Sequence, residues 1–345
     1  MLNLGRSLAR GAVTVLAVTF VSGVVDNADA QMLKTVKDRG NLIWGVSTGL
    51  PGFSNADDKG VWSGLDVDLC RAVAAAVFDD ASKVKYVPLN AEQRFKALQS
   101  GEIDLLSRNS TWTMSREAEF NLSFAAVNYY DGQGFMIRKS AGKDSALALD
   151  NSKVCVQSGT TTQLNLGDYF RANNMKFQEM AFTDAAETLK AYDSGTCDVF
   201  TSDISQLYAE RLQLSAPNDH VILPDVISKE PLGPAVKQGD SQWLEIVKWS
   251  HFAMLNAEEL GITSRNIDEA LKSQKPDVKR LIGSEGTYGE QIGLTRDWAV
   301  RIIRQVGNYA ESYNRNVGTG SKLGIPRGLN HLWNEGGIQY APPIR

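Results

Sequence analysis

The chain has 345 residues, 43% of them hydrophobic and 22% charged, and a formal net charge of −4 at pH 7. These values are those of an ordinary globular protein, and the lack of a basic excess argues against a nucleic-acid binder. The length is sufficient for two lobes, each with a hydrophobic core of its own.

The first 30 residues have the pattern of a cleavable signal peptide. Arg6 and Arg10 precede an apolar run at residues 11–25, and a small–x–small sequence at residues 28–30 ends just before Gln31. The apolar run is short for a bilayer span, although an anchor that stays attached is the alternative. No cysteine follows the cleavage point, which disfavours a lipoprotein. We therefore expect an exported mature chain.

The first half of the mature chain alternates between strands and helices. We expect strands at residues 41–46 and 84–88 and from Ile103, with helices between them that end near Phe78 and Gly101. This alternation predicts a parallel α/β sheet. The acidic residues in the first turn of the first of these helices suit the helix dipole.

The third strand ends in a run of polar residues. Residues 103–106 are apolar except for one aspartate, and residues 107–111 are all polar. In an open α/β sheet, ligands bind beyond the carboxyl ends of the strands. Hydroxyl and amide groups followed by Arg116 could bind a carboxylate, because a guanidinium donates a planar pair of hydrogen bonds. The alternative is a loop with a solvated arginine.

The second half begins a similar arrangement. After a strand at residues 153–157, Gly159 and three threonines, Thr160, Thr161 and Thr162, open a helix. Free N–H groups at a helix start favour anions, and an N-cap explains only one threonine. A later strand ends at Asp203, which is either a ligand contact or the N-cap of the next helix.

These segments together resemble a known family. The motifs GLPGFS at residues 49–54, GVWSGLDVDLCRAVAAAV at 60–77, RFKALQSGEIDLLSRNSTWT at 94–113 and YYDGQGFMIRK at 129–139 resemble the polar-amino-acid periplasmic solute-binding proteins, family 3. They are most similar to the branch that serves general L-amino-acid ABC transporters. The matching segments run from about residue 41 to the C-terminus.

The resemblance implies a two-lobe, type 2 periplasmic binding protein fold of the α/β class. Residues 32–134 and 235–345 would form the first lobe, the second of these ranges including a C-terminal helical extension. Residues 135–234 would be the inserted second lobe. Two crossovers between the lobes would form a hinge. Within the extension we expect one helix at residues 296–313, with an apolar stripe of Trp298, Ile302, Ile303 and Val306.

The resemblance also implies roles for individual residues. Arg116 would hold the α-carboxylate of an amino acid, with Asn109 and Thr111 beside it, and Asp203 would accept the α-ammonium. Residues 159–162 would meet the ligand from the second lobe. Arg108 departs from the family pattern and either reaches the ligand's side chain or points away.

The loop of residues 48–54 lies where relatives of narrow preference place an aromatic ring over the ligand's side chain. Here that position is Leu50, with Phe53 nearby. A leucine imposes no stacking geometry, so we expect the site to bind several L-amino acids of different classes.

The three cysteines lack the CxxC spacing of zinc sites, and the three histidines are scattered. Cys155 and Cys197 lie in predicted strands that begin the second lobe's sheet, and such strands are commonly neighbours. We expect a disulfide between them, with Cys70 free; two buried thiols are the alternative.

The expected protein binds an L-amino acid, needs no cofactor and works in the periplasm as a monomer with the permease of an ABC transporter. One alternative is an extracellular amino-acid sensor. Another is a dehydratase or transglycosylase-like enzyme on the same fold, which needs a poised carboxylic acid in the cleft. The candidates for that acid are Glu92, Asp104 and Asp198, all at positions with structural explanations.

Overall fold

The computed structural model describes residues 31–345, so the predicted signal peptide lies outside the described residues. The strands are β1 (Leu42–Val46), β2 (Asn55–Ala56), β3 (Trp62–Ser63), β4 (Val84–Pro88), β5 (Leu105–Leu106), β6 (Leu122–Phe124), β7 (Tyr129–Asp131), β8 (Gln133–Arg138), β9 (Ser152–Gln157), β10 (Phe177–Phe182), β11 (Val199–Asp203), β12 (His220–Ile222), β13 (Glu230–Leu232) and β14 (Ala235–Lys237). The α-helices are α1 (Met32–Arg39), α2 (Leu65–Phe78), α3 (Arg94–Ser100), α4 (Met114–Phe120), α5 (Thr161–Ala172), α6 (Ala185–Asp193), α7 (Ile204–Arg211), α8 (Ser241–Glu259), α9 (Ile267–Ala270), α10 (Pro276–Leu281), α11 (Tyr288–Gln291), α12 (Trp298–Gln305) and α13 (Tyr309–Asn316).

The first lobe is built on a sheet with the strand order β4-β1-β5-β14-β6. β1 runs parallel to β4 and β5, as the alternation of strands and helices predicted, and β14 returns antiparallel to β5 and β6. Helix α2 is buried over almost its whole length. Its run of alanines at residues 72–76, interrupted by one valine, has no side chain larger than valine. The sheet and the other helices can therefore pack closely around it.

The second lobe has a sheet of the order β10-β9-β11-β8-β12. β9 is parallel to β10 and β11, and β8 is antiparallel to β11 and β12. A disulfide joins Cys155 in β9 to Cys197 just before β11, with the Cα atoms 5.6 Å apart, while Cys70 is free and buried in the first lobe. The predicted pairing is confirmed.

Two crossovers connect the lobes as an antiparallel pair of short strands, β7 and β13. The side-chain amide of Asn330, near the C-terminus, makes two hydrogen bonds to the other side of β7. It accepts one from the Tyr130 N–H at 2.7 Å and donates one to the Tyr130 carbonyl at 3.0 Å. β8 begins at Gln133 and pairs with β11 from there. This start of β8 lies close to the predicted boundary at 134/135.

The C-terminal extension packs onto the first lobe, and α12 lies against α2 and α8. Its predicted apolar stripe is buried as expected. The prediction of one helix at residues 296–313 was wrong. Gly307, with φ +94°, ends α12, and Asn308 begins α13 with a capping box that includes Glu311.

An aspartate in α2 anchors the extension. The Asp68 carboxylate accepts hydrogen bonds from the Ser312 hydroxyl at 2.7 Å, from the Arg315 guanidinium at 2.6 Å and from the Asn316 amide at 2.5 Å. Asp68 is buried. A buried carboxylate is stable only when it is paired and hydrogen-bonded, so the extension is an integral part of the first lobe.

Candidate functional site

The carboxyl ends of β5 and β11 and the start of α5 meet between the lobes. They enclose a narrow cavity that is nearly filled by its lining side chains. Its lining residues are Arg94, Arg108, Asn109, Thr111, Gln157, Thr160, Thr161, Thr162, Ser202, Asp203 and Gln206. The structure therefore brings together most of the predicted site residues, and it adds Arg94, Gln157, Ser202 and Gln206.

Asp66 of α2 fixes the turn that follows β5. Its carboxylate accepts hydrogen bonds from the Ser107 hydroxyl at 2.6 Å, from the Asn109 N–H at 2.9 Å and from the Asn128 amide at 3.1 Å. These bonds hold Asn109 in a left-handed conformation with φ +34°. Burial raises the pKa of Asp66 above its ordinary value, and the three hydrogen bonds oppose this shift. This first-turn aspartate thus shapes the site as well as suiting the helix dipole.

Arg116 lies in the first turn of α4 and is buried, so the alternative of a loop with a solvated arginine is wrong. Thr113 caps this helix, and its hydroxyl accepts the Arg116 N–H at 3.3 Å. The Arg116 guanidinium is buried behind the turn, where Nη1 donates to the Thr111 carbonyl at 2.7 Å. Burial lowers its pKa to about 10, although Glu230 and Asp203 favour the charged form. Arg116 does not line the cavity directly, so its clamp role stays a prediction.

The threonines at the start of α5 have distinct partners. Thr160 is the N-cap, and its hydroxyl accepts the Gln163 N–H at 3.1 Å. Thr161 and Thr162 are therefore not needed for capping, and the Thr161 hydroxyl lies 3.2 Å from that of Thr111 in the first lobe. Gly159 has φ +71°, and a Cβ there would lie 2.9 Å from Cγ of Glu92. Only glycine suits this close approach of the lobes.

Glu230 of β13 is a site residue that the sequence analysis missed. Its carboxylate accepts hydrogen bonds from Thr111 at 2.5 Å and from Thr161 at 2.8 Å, and thus from both lobes. It also accepts bonds from Asn165 at 2.8 Å and Ser228 at 2.6 Å. Its only signal in the sequence is a charge within a proline- and glycine-rich crossover. That signal does not reveal that both lobes converge on it.

Asp203 ends β11 and stands at the N-cap position of α7, but its side chain makes no capping hydrogen bond. The N-cap interpretation is therefore wrong. The carboxylate is buried and lines the cavity. Burial, with Asp131 and Glu230 nearby, raises its pKa well above the ordinary value. A cation placed in the cavity would stabilise its ionised form.

Three arginines cluster on the opposite side. Arg94, Arg108 and Arg116 are 2%, 3% and 7% exposed. Burial lowers the pKa of Arg94 well below its ordinary value, and the other two arginines lower it further. Burial also lowers the pKa of Arg108 to about 10. The guanidiniums of Arg94 and Arg116 both lie over the ring of Phe95, with Cζ atoms 4.8 and 4.9 Å from its centre. The cavity thus has buried guanidinium groups on one side. On the other side it has the Asp203 carboxylate, which makes no capping hydrogen bond.

Leu50 and Phe53 do not line the cavity, and their expected place over a ligand side chain was wrong. A tight turn, in which the Leu50 N–H donates to the Ser54 carbonyl at 2.7 Å, directs both side chains into the core of the first lobe. Phe53 packs edge-on against Tyr129, with ring centres 5.3 Å apart. Breadth of specificity therefore cannot be argued from Leu50.

The acids considered for an enzyme have structural partners and do not line the cavity. Glu92 accepts a hydrogen bond from the Ser158 hydroxyl across the lobes at 2.9 Å. Asp104 accepts the Ile43 N–H at 2.7 Å and pairs with Arg39. Asp198 accepts the Lys153 N–H at 3.0 Å.

Residues 31–345 contain no cluster of histidine, cysteine or acidic side chains placed to hold a metal ion. In the same range, no helix has the length and apolar character needed to cross a membrane.

Comparison with known proteins gives consistent matches. The family model of the bacterial extracellular solute-binding proteins, family 3, matches residues 42–264. The chain is 56% identical over 320 residues to the general L-amino acid-binding periplasmic protein AapJ of Rhizobium johnstonii, which covers 92% of this chain and 94% of that protein. It is 51% identical over 330 residues to the glutamate/glutamine/aspartate/asparagine-binding protein BztA of Rhodobacter capsulatus, covering 95% and 98%.

A solved structure agrees with these matches. An ABC transporter periplasmic binding protein from Brucella ovis with glutathione bound superposes with a TM-score of 0.90 at 56% sequence identity. The match covers 92% of this chain and all of that one.

Proposed function

The chain belongs to the bacterial extracellular solute-binding proteins, family 3, and from this premise we propose that it captures L-amino acids between its lobes in the periplasm and delivers them to the permease of an ABC transporter. Its fold is the two-lobe, type 2 periplasmic binding protein fold. Its relatives AapJ and BztA are amino-acid-binding proteins, which supports an amino-acid ligand. We propose that it acts as a monomer and catalyses no reaction.

The observation that carries the proposal is the separation of buried charge across the cavity. A free amino acid is a zwitterion. The site offers it the Asp203 carboxylate in one lobe, which makes no capping hydrogen bond, and buried guanidinium groups in the other lobe. We assign the α-ammonium to Asp203 and the α-carboxylate to Arg116, with Asn109 and Thr111 beside it. Moving a carboxylate and an ammonium out of water costs free energy, and this cost is offset only when both groups are paired in the site.

A ligand as small as an amino acid needs contacts from both lobes to bind tightly. Binding at micromolar to tens-of-nanomolar concentrations needs about −8 to −10 kcal/mol. For about ten heavy atoms this is near −1 kcal/mol per atom, within the small-ligand ceiling of about −1.5. One open surface could hardly supply this, because both charges must be paired and most of the ligand's surface must leave water.

Contacts across the cavity support closure of the lobes around a ligand. The Asn109 amide donates to the Gln206 side chain of the second lobe at 3.1 Å, in addition to the Ser158–Glu92 bond. Glu230 joins Thr111 to Thr161 from the hinge. These bonds form only when the lobes meet, so they favour the closed form in which a bound amino acid is removed from water.

Titration calorimetry of the mature chain with L-amino acids tests the proposal. We expect binding by the wild type, and a loss of two to four decades of affinity in Asp203→Asn and in Arg116→Gln, since removing one partner of a buried charge pair costs about 3–5 kcal/mol. Asp203→Asn should also discriminate less between α-amino and α-hydroxy acids. Asp198→Asn, an exposed aspartate of the same lobe, and Arg304→Gln, an exposed arginine of α12, are the matched controls.

Near-normal affinity in Arg116→Gln would contradict the assignment of the α-carboxylate to Arg116. A wild type that binds no amino acid would contradict the proposed function. Delivery to a permease, as against a sensory receptor, is tested by amino-acid uptake into vesicles that contain an amino-acid ABC permease of the same organism. Amino-acid uptake that does not depend on the protein would contradict a transport role.

A further inference from the structure

The start of α7 is capped from the hinge. Asp131, the last residue of β7, accepts the Ser205 N–H with Oδ2 at 3.3 Å. The carbonyl of the next residue, Gly132, accepts the Ile204 N–H at 2.8 Å. Ile204 and Ser205 are the first two residues of α7, and N–H groups at a helix start have no acceptor inside the helix. The Asp131 carboxylate thus takes the place of an N-cap side chain.

Glycines allow the crossover to pass this close to its neighbours. A Cβ at Gly132 would lie 2.3 Å from Cγ1 of Val226 and 3.0 Å from the Ser228 carbonyl. A Cβ at Gly134 would lie 2.8 Å from Cγ1 of Ile204, the first residue of α7. A larger residue at either position would force the backbone apart. The segment that carries Asp131 is therefore held against the start of α7 by packing as well as by hydrogen bonds.

The Asp131 carboxylate has one oxygen for each of two N–H groups. Oδ1 accepts the Gly132 N–H at 2.8 Å, and Oδ2 accepts the Ser205 N–H. Burial raises the pKa of Asp131 above its ordinary value, and the hydrogen bonds from Ser205 and Gly132 oppose this shift. A carboxylate at a helix N-terminus also interacts favourably with the helix dipole.

Asp203 stands at the N-cap position of α7 but leaves the capping to Asp131. Aspartate is among the most favourable N-cap residues, so a free N–H at Ser205 would attract the Asp203 carboxylate. Because Asp131 already accepts that N–H, the Asp203 carboxylate lies in the cavity wall and makes no capping bond. The proposed function gives this carboxylate to the ligand's ammonium.

We propose that Asp131 is a positioning residue for amino-acid binding, which caps α7 from the hinge and thereby keeps Asp203 free for the ligand's ammonium. This inference rests on the proposed function and adds a residue that lies outside the cavity lining. Asp131 pairs with Glu230 across the two hinge strands. The same contact therefore attaches a hinge strand to the helix behind the ammonium site.

Loss of the Asp131 acceptor should redirect Asp203. In Asp131→Ala the Ser205 N–H loses its acceptor, and the Asp203 side chain can restore the cap by turning toward it. A ligand's ammonium must then compete with this cap. Since an N-cap contact is worth a factor of about five to thirty, we expect amino-acid affinity to fall about fivefold to thirtyfold. An α-hydroxy acid has no ammonium, so its affinity should stay nearly unchanged.

Titration calorimetry measures this effect with matched ligands. L-Glutamate and L-leucine are each compared with the analogue in which a hydroxyl replaces the α-ammonium. In Asp131→Ala the preference for the amino acid should fall about fivefold or more. Asp131→Asn loses the charge and the Gly132 bond, as alanine does, but it keeps an oxygen for the Ser205 N–H. It should therefore keep most of the wild-type preference.

Asp240→Ala is the matched control. Asp240 caps α8 by accepting the Trp243 N–H at 2.8 Å, and it lies in the first lobe outside the cavity lining. Its loss should lower the urea midpoint of unfolding, while the preference for α-amino over α-hydroxy acids keeps its wild-type value. A purely structural role of Asp131 would give the same result in Asp131→Ala and would overturn the proposal.

The outcomes separate the two proposals. If the wild type binds no amino acid, or binds α-hydroxy acids equally well, the proposed function or its Asp203 assignment fails. If the wild type prefers amino acids and Asp131→Ala keeps that preference, the positioning role is wrong and amino-acid binding stands. An equal loss of preference in Asp131→Asn and Asp131→Ala would assign the effect to charge and overturn the capping argument.

A crystal structure of the wild type with glutamate decides the question even where a variant fails to fold. We expect the Asp203 carboxylate to contact the ligand's ammonium while Asp131 accepts the Ser205 N–H. An Asp203 carboxylate that accepts the Ser205 N–H in the liganded protein would overturn the proposal.

Discussion

Glu210 of α7 is a buried carboxylic acid at the interface of the lobes, and it should make the protein less stable as the pH rises. One of its oxygens accepts a hydrogen bond from Gln206 at 2.8 Å, and Gln206 in turn accepts one from Asn109 of the first lobe. The other oxygen, Oε2, is buried without a partner in the described residues. Burial raises the pKa of Glu210 from 4.5 to about 8, and the bond from Gln206 opposes this shift.

The direction in which stability changes with pH follows from the protons bound by the folded and unfolded states. Between pH 4.5 and 8 the folded protein keeps a proton on Glu210 that the unfolded chain has released. The free energy of unfolding therefore falls as the pH rises through this range. One pKa unit corresponds to about 1.36 kcal/mol, so the loss between pH 5 and pH 7 is about 2 kcal/mol, nearly the same for a folded pKa of 7 or 8.

Urea unfolding of the wild type and of Glu210→Gln at pH 5, 6 and 7 measures this loss. Glutamine keeps the acceptor for Gln206 and has no charge to bury. The stability of Glu210→Gln relative to the wild type should therefore increase by about 2 kcal/mol from pH 5 to pH 7. Glu187→Gln, at an exposed position of α6, is the control and should show no such trend. A stability difference for Glu210→Gln that does not change with pH would refute this account of the buried carboxylic acid.

Three further predictions follow from the fold. Cys155→Ser should lower the free energy of unfolding, measured by urea unfolding, by about 4 kcal/mol in the chain-entropy model. Thiol counting on the unfolded, unreduced wild type should give one thiol, because Cys70 is free; three thiols would contradict the disulfide. Asp68→Asn should lower the unfolding midpoint with little change in amino-acid affinity, because Asp68 does not line the cavity and its hydrogen bonds go to the extension; an affinity loss as large as that of Asp203→Asn would contradict this. Glu230→Gln should weaken the hydrogen bonds between the lobes, and X-ray scattering should then show a larger radius of gyration at equal ligand concentration; an unchanged scattering curve would argue against its role in closure.

Much of the fold followed from the sequence, because apolar strands and the polar runs after them are local patterns. The end of β5 and the start of α5 were located by the abrupt change from apolar residues to hydroxyl side chains, and the structure places both at the cavity. The Cys155–Cys197 pairing was inferred from two predicted strand positions. The separate lobes were recognised through the resemblance.

The missed residues share a physical reason. Arg94 stands in a helix where a charged residue suggests a solvated face, and only the packing of the lobes makes it a buried cation. Glu230 gains its role because two distant threonines converge on it. Leu50 was misplaced because a tight turn, invisible to hydrophobic periodicity, directs it into the core. Each of these depends on contacts between segments far apart in the chain.

The side-chain amide of Asn330 has a mechanical consequence for the hinge. By bonding to both backbone groups of Tyr130, it acts like one residue of a third strand beside β7. The other edge of β13 is held as well, because the Trp112 N–H donates to the Pro231 carbonyl at 2.8 Å. Any rotation of the second lobe must therefore bend two crossovers that are both braced on their outer edges. The tail near the C-terminus supplies one of these braces, so it should help to set how far the two lobes swing apart.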